Sequence, residues 1–160
     1  MQVTAAFEPA IVARDMEAML AFYRGVLGMS LFSLDNISQA QARSAGLTPG
    51  AYSIARLETS GGDRLKIVVP QEPPTTQAPR EWIMQRQGFG YLTFIVPDLA
   101  AVMSALAKAG ATMRTGAQAI AFRPGVVELA IAQDPEGNCI EFVQRNDLAT
   151  YRPARTGAAT

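Results

Sequence analysis

The sequence contains no histidine at all. That absence removes Ser-His-Asp and Cys-His nucleophilic sites, imidazole acid–base chemistry and the two-His-one-carboxylate iron site. Zinc needs thiolates or imidazoles, and the single cysteine, Cys139, does not supply them. One cysteine also excludes an intrachain disulfide and fits a reducing compartment. Charge of either sign is not in excess, with 14 basic and 14 acidic residues, so no net field favours nucleic acid or an anionic membrane. No apolar run is long enough to cross a bilayer, and residues 1–6 lack the basic patch and apolar stretch of a secretory signal. The expectation is a cytoplasmic protein with no nucleic-acid or membrane partner, whose chemistry rests on carboxylates, Lys, Arg, Tyr or backbone groups.

What is present is the material of a folded core: 49% of residues are apolar, in a chain the length of one domain. Residues 7–14 read as a strand, with Ile11 and Val12 in a short apolar run. Asp15 is placed to cap a helix in which Met16, Leu20, Tyr23 and Leu27 recur at helical spacing and Phe22 widens the stripe. Gly28 ends it. Residues 29–34 read as a second strand and 39–45 as a short helix stopped by Gly46. Residues 51–58 and 64–70 are strands joined across 59–63, whose Thr-Ser-Gly-Gly-Asp is a hairpin signal. Residues 71–88 are rich in Pro and Gln and read as a linker that Trp82 and Met84 anchor or close over a site.

The second half repeats the pattern. Residues 91–96 form a strand, Asp98 a cap, 99–109 a helix with Val102, Leu106 and Ala109 on one face, and Gly110 a stop. Strands follow at about 112–117, 126–133 and 139–144, the last two joined by the tight turn of residues 134–138. Laying Val12-Ala13-Arg14-Asp15 over Ile95-Val96-Pro97-Asp98 gives an offset of 83 residues and sets Glu8 over Tyr91. The expected class is α+β: two βαβββ modules forming an open, trough-like mixed sheet with helices outside. The expected organisation is one domain over 1–145 (modules about 5–70 and 89–145, linker 71–88) and a polar tail over 146–160.

The run from Arg14 to Met29, with Asp15, Phe22-Tyr23 and Leu27-Gly28, resembles the opening of the vicinal oxygen chelate superfamily. That superfamily includes glyoxalase I, bleomycin-resistance proteins and extradiol dioxygenases. Asp134-Pro135-Glu136-Gly137-Asn138-Cys139-Ile140-Glu141-Phe142 is similar to its closing motif, and residues 45–57 resemble members related to methylmalonyl-CoA epimerase. The resemblance covers about residues 5–145. It implies a divalent metal held by residues of four strands, at positions filled here by Glu8, Lys66, Tyr91 and Glu141. Two carboxylates remain, while an ammonium and a phenol hold the other places. A protonated lysine has no lone pair to offer a metal. Lys66 therefore reads as a replacement for the metal's charge, balanced by Glu8 and Glu141, or else as a residue pointing outward because the register slips by one.

Glu141 alternates with Ile140 and Phe142, and Tyr91 with Thr93 and Ile95 share a face by the same period. Tyr91 is a packing residue, a hydrogen-bond donor, or both. Arg56 reads as a solvated surface group or a partner for an anionic ligand. Cys139 reads as a small buried residue, since nothing in the sequence activates it. Phe22 and Tyr23 read as core.

Three functions follow from these residues. The one asking least of them is metal-independent binding of a small apolar organic ligand, in a trough lined by Val12, Val68, Ile95 and Val143 with Arg56, Thr93 and Trp82 nearby and with no cofactor. The second is a metal-free isomerase or lyase. There Glu8 or Glu141 moves a proton, and Lys66 and Tyr91 donate to an oxyanion. The third is a metalloenzyme using oxygen ligands for magnesium or manganese. Open sheet edges and the resemblance both point to a homodimer.

Overall fold

The computed structural model of the chain describes residues 7–76, 82–85 and 87–151. The chain divides into two compact units, Met1–Arg80 with Asp134–Asn138, and Glu81–Gln133 with Cys139–Thr160. Each unit holds one four-stranded mixed sheet with helices, and the class is α+β.

The first unit runs β1 (Ala10–Val12), α1 (Met16–Leu20), β2 (Ser30–Ile37), α2 (Gln39–Ser44), β3 (Tyr52–Glu58) and β4 (Arg64–Pro70). Its strand order is β1-β4-β3-β2, with β1 parallel to β4 and the other pairs antiparallel. Asp15 caps α1 as its residue type predicts, accepting from the Ala18 N–H at 3.0 Å. The helix then widens into a π turn over Ala21–Val26, in which the adjacent Phe22 and Tyr23 are both buried. Met19, absent from the predicted stripe, is fully buried, whereas Met16, Leu20 and Leu27 are only half-buried. Met19, Phe22 and Tyr23 stand at i, i+3 and i+4, so the buried stripe keeps the helical period but lies one residue away from the predicted one. Gly28, at φ +70°, ends the segment in the left-handed region that favours glycine.

Alternation along the strands decides which side chains face inward. Leu65, Ile67, Ala55 and Leu57 share one face of the sheet and are buried, and α1 lies against β4. Arg56, Lys66, Ile54 and Val68 share the opposite, helix-free face. Beneath α1 the turn Asp134–Asn138 belongs to this unit. Buried Asp134 accepts from the Tyr23 hydroxyl (3.1 Å), from the N–H groups of Glu136 (3.0 Å) and Asn138 (2.9 Å), and from the Asn138 amide. Glu136 in turn accepts from the N–H groups of Arg14 (2.6 Å) and Asp15 (3.0 Å).

The second unit runs β5 (Tyr91–Ile95), α3 (Leu99–Lys108), β6 (Ile120–Arg123), β7 (Val127–Gln133), β8 (Cys139–Arg145) and α4 (Leu148–Tyr151), with strand order β5-β8-β7-β6. Asp98 caps α3 through the Ala101 N–H at 2.9 Å. The Leu99 N–H donates to the Gln144 side chain at 2.7 Å, which sets α3 over the face that Ala130, Ala132, Ile140 and Phe142 share. The two alanines give the helix room to approach.

Three expectations need correction. The strand placed at 112–117 is a single bridge between Met113 and Ala132, and the second strand of the module is Ile120–Arg123. Every residue of that edge strand is exposed, so no buried face marks it. Trp82 and Met84 are 75% and 82% exposed and do not anchor the segment between the modules, which has a 3₁₀ turn at Ile83–Gln85. After Arg145, where a loose tail is expected, α4 forms, with the Arg145 guanidinium 3.5 Å from the Tyr151 ring centroid. Residues 77–81, 86 and 152–160 of the expected linker and tail lie outside the described residues. No helix among the described residues is long and apolar enough to cross a membrane.

Candidate functional site

The helix-free face of the first sheet divides into a charged part and an apolar part. Lys66 lies opposite Arg56 across the β3–β4 hairpin, and Arg64 lies opposite Glu58. Lys66 Nζ is 3.0 Å from Glu8 Oε2, and Arg64 is 3.6 Å from Glu8 Oε1. Arg64 also donates to Glu58 at 2.7 Å, while its guanidinium lies 3.7 Å from the centroid of the Phe32 ring. Arg56 donates to Asp35 and, at 3.1 Å, to the Ser33 hydroxyl. Next along the strands comes an apolar row in which Val12 pairs with Val68 and Val68 with Ile54.

Electrostatics follow from this geometry. The hydrogen bond from Lys66 holds the Glu8 carboxyl below the usual carboxylate range, against the effect of desolvation and with help from the charges of Lys66, Arg64 and Arg56. The hydrogen bond to Glu58 holds Arg64 still more firmly protonated. Three cations thus meet three carboxylates, Glu8, Glu58 and Asp35, and the cluster is neutral as built.

In the second sheet the equivalent place is simpler. Thr93 lies opposite Glu141 and donates its hydroxyl to Glu141 Oε2 at 2.8 Å. Tyr91 lies opposite Cys139, which is buried, and Ile95 opposite Val143. Val143 packs with Val127 and Leu129 in an apolar cluster that Val126 and Ile131 flank. The pairs Ala10–Lys66 and Thr93–Glu141 occupy corresponding rungs of the two sheets, as do Val12–Val68 and Ile95–Val143.

The residues singled out in the sequence therefore fall into two groups. Within the first unit the fold brings together Glu8 and Lys66, and beside them Val12, Val68 and Arg56; Lys66 does not lie on the Leu65–Ile67 face. Within the second it brings together Thr93 and Glu141, with Tyr91, Ile95 and Val143 along the same face. Trp82 belongs to the second unit and is exposed. Sequence reasoning missed Arg64, Glu58, Asp35 and Phe32. A signal for two of them existed, because a hairpin closed across 59–63 sets Glu58 opposite Arg64, and Arg64 is two residues from Lys66 on the same face.

These side chains do not fit a divalent metal. Lys66 offers no lone pair, and its ammonium already occupies the Glu8 carboxylate that a metal would use. Among the described residues no three Cys, Asp or Glu side chains gather closely enough to hold an ion.

A βαβββ unit that occurs twice, each time with a capped helix over one face of a mixed sheet, defines the class as a paired-βαβββ α+β protein. The family model of the Glyoxalase/Bleomycin resistance protein/Dioxygenase superfamily matches residues 6–142, and the chain belongs to that superfamily. A glyoxalase family protein from Bacillus cereus is similar in structure, with a TM-score of 0.77 and 21% identity over 91% of this chain and 96% of that one. A glyoxylase/bleomycin resistance protein/dioxygenase domain from Frankia sp. EAN1pec gives a TM-score of 0.70 at 16% identity, covering 91% of this chain and 95% of its own. The trypanothione-dependent glyoxalase I of Leishmania major gives 0.66 at 14% identity, covering 93% and 92%. At such identities the likeness is one of fold. Among curated proteins none matches this chain.

Proposed function

We propose that this protein binds a small, largely apolar organic molecule without a metal, holding it against the helix-free face of the first βαβββ unit. The observation that carries this reading is the ion pair between Lys66 and Glu8, 3.0 Å apart, at the positions where the family resemblance implies metal ligands. A fixed ammonium supplies positive charge there, and a second cation at that place meets repulsion. Exposed Val12 and half-buried Val68 offer apolar contact beside polar groups that set orientation, which is the usual composition of a small-molecule site. Elemental analysis after incubation with manganese, iron, nickel and zinc tests the metal-free reading. No bound ion in any condition is expected, and one tightly held ion per chain ends it.

A metal-free isomerase or lyase is the second reading, and the hydrogen bond from Thr93 to Glu141 favours it. That bond orients a carboxylate that forms no ion pair with the described residues of its own unit. Glu8 is a poor base, because Lys66 and Arg64 keep its carboxylate ionised. Exchange of a bound ligand's carbon-attached hydrogen with heavy water, present in the native protein and lost in Glu141→Gln, is the outcome that establishes catalysis.

We place the protein in the cytoplasm as a homodimer. Edge strand β2 exposes Leu34 and edge strand β6 exposes Ile120 and Phe122, apolar side chains that a second copy would cover. A monomeric mass by light scattering at micromolar concentration removes that assignment.

A further inference from the structure

Resting on the binding reading above, the geometry points to the class of ligand: we propose that the first unit takes an uncharged molecule with a planar aromatic ring and one hydrogen-bond-accepting oxygen, the ring against Phe32 and the oxygen toward Lys66.

Charge decides the first part. All three cations on this face are bonded to carboxylates of the same face, Lys66 to Glu8, Arg64 to Glu8 and Glu58, and Arg56 to Asp35. An anionic ligand has to displace one of those carboxylates, leaving it unpaired in a half-buried setting, and a cationic ligand meets the converse difficulty. A neutral ligand leaves the pairs standing. Donors remain for it, because an ammonium has three N–H groups and Lys66 commits one to Glu8 at 3.0 Å. A carbonyl or ether oxygen accepts from such a donor without adding charge.

The ring follows from Phe32. This residue is 55% exposed at the bulge in β2, and Arg64 covers it with a guanidinium 3.7 Å from the ring centroid. The guanidinium is itself fixed by Glu58 at 2.7 Å, so the stack is held in place and its charge is already balanced. A preorganised flat surface of this kind gains more from a planar π system than from a puckered ring of equal area, through offset or edge-to-face contact. The exposed Val12 and the half-buried Val68 continue the surface past Lys66 and take the remainder of the molecule. Arg64 and Lys66 are two residues apart on one face, roughly 7 Å along the strand. That separation suits a bicyclic ring carrying its oxygen as a substituent.

The test uses three probes of one size, titrated into the full chain by calorimetry: 2-acetylnaphthalene (planar and neutral), 2-naphthoate (planar and anionic) and 2-acetyldecalin (saturated and neutral). The expected result is that 2-acetylnaphthalene binds at least tenfold more tightly than either of the others. Phe32→Leu should erase its advantage over acetyldecalin, and Lys66→Met should weaken both ketones. Both substitutions are on partly exposed side chains, and thermal unfolding checks that each variant is folded. If naphthoate binds most tightly, or acetyldecalin matches acetylnaphthalene, this ligand class is wrong while the small-molecule reading stands. If none of the three binds to the folded protein, that reading falls together with the inference. Equal binding of acetylnaphthalene to the native and both variant chains also overturns the proposal, since the ring and the oxygen would then lie elsewhere.

Discussion

Lys66 and Glu141 stand on corresponding rungs of two sheets with the same strand order and the same parallel pairing, yet one is an ammonium and the other a carboxylate. Around Lys66 the first unit gathers Glu8, Arg64, Glu58, Arg56 and Asp35 into a neutral network. Around Glu141 the second has one threonine hydroxyl and an apolar cluster of Val127, Leu129 and Val143. The helices differ as well: a regular ten-residue α3 in the second unit answers a short α1 and a π turn in the first. Hydrogen-bonded ladders and caps repeat because backbone geometry is indifferent to most side chains. The faces are free to diverge, because a strand's outward positions are not held by packing on the helix.

The largest effects should come where the units agree. Met19→Ala in α1 and Leu106→Ala in α3 each remove a fully buried side chain and should each cost about 3 kcal/mol by urea unfolding. A near-zero cost for one of them would mean that its helix does not pack on the sheet of its own unit. Tyr23→Phe probes a bond seen only in the first unit, the hydroxyl to Asp134, and should cost about 1 kcal/mol. Asp15→Ala and Asp98→Ala remove matching caps and should cost about 1 kcal/mol each. Unequal costs there would break the comparison at its most regular point.

Acid titration separates two carboxylates of the first unit by sign. Glu8 has a lowered folded-state pKa because Lys66 bonds its charged form. Its contribution is therefore present above the ordinary glutamate value and is lost as pH falls through the lowered one. Asp134 has a raised folded-state pKa, chiefly because burial penalises its charge, although Asn138, Tyr23 and Glu136 oppose the shift by hydrogen bonding. Its contribution is complete below the ordinary aspartate value and declines as pH rises through the raised one. Denaturant midpoints followed from pH 3 to 7 should thus lose part of their acid-side fall in Glu8→Gln and rise more steeply with pH in Asp134→Asn. The smallest stability change is expected for Lys66→Met at neutral pH, because Lys66 and Glu8 are both partly solvated. Its acid-side profile should follow that of Glu8→Gln, and a profile identical to the native one would show that the ion pair does not form in solution.

Much of this protein is readable from residue order because the signals are local. Asp15 and Asp98 as caps, Gly28 and Gly110 as stops, and the hairpin across 59–63 each depend on a few neighbours along the chain. Alternation in Leu65-Lys66-Ile67 leaves two facings for the lysine, and the burial of both apolar neighbours decides between them. The repeat offset of 83 residues, read from two short segments, sets Val12 over Ile95 and is matched by the strand registers. Signals fail where a segment has no buried face, as in Ile120–Arg123, or where apolar residues all round a helix leave two stripes to choose between, as with Met19 and Leu20.

By itself, then, the sequence determined the absence of imidazole chemistry, the twofold βαβββ plan and the identity of the charged side chains on each strand. Only the tertiary structure decided their partners. Glu8 reaches Lys66 because a parallel pairing brings β1 alongside a strand more than fifty residues away. Arg64 stacks on Phe32 because a bulge in β2 shifts the register there. Asp134 is buried because a turn near the end of the chain packs under Tyr23. Composition and period carry facing and propensity, whereas the distance between two charges is fixed only when the chain has closed on itself.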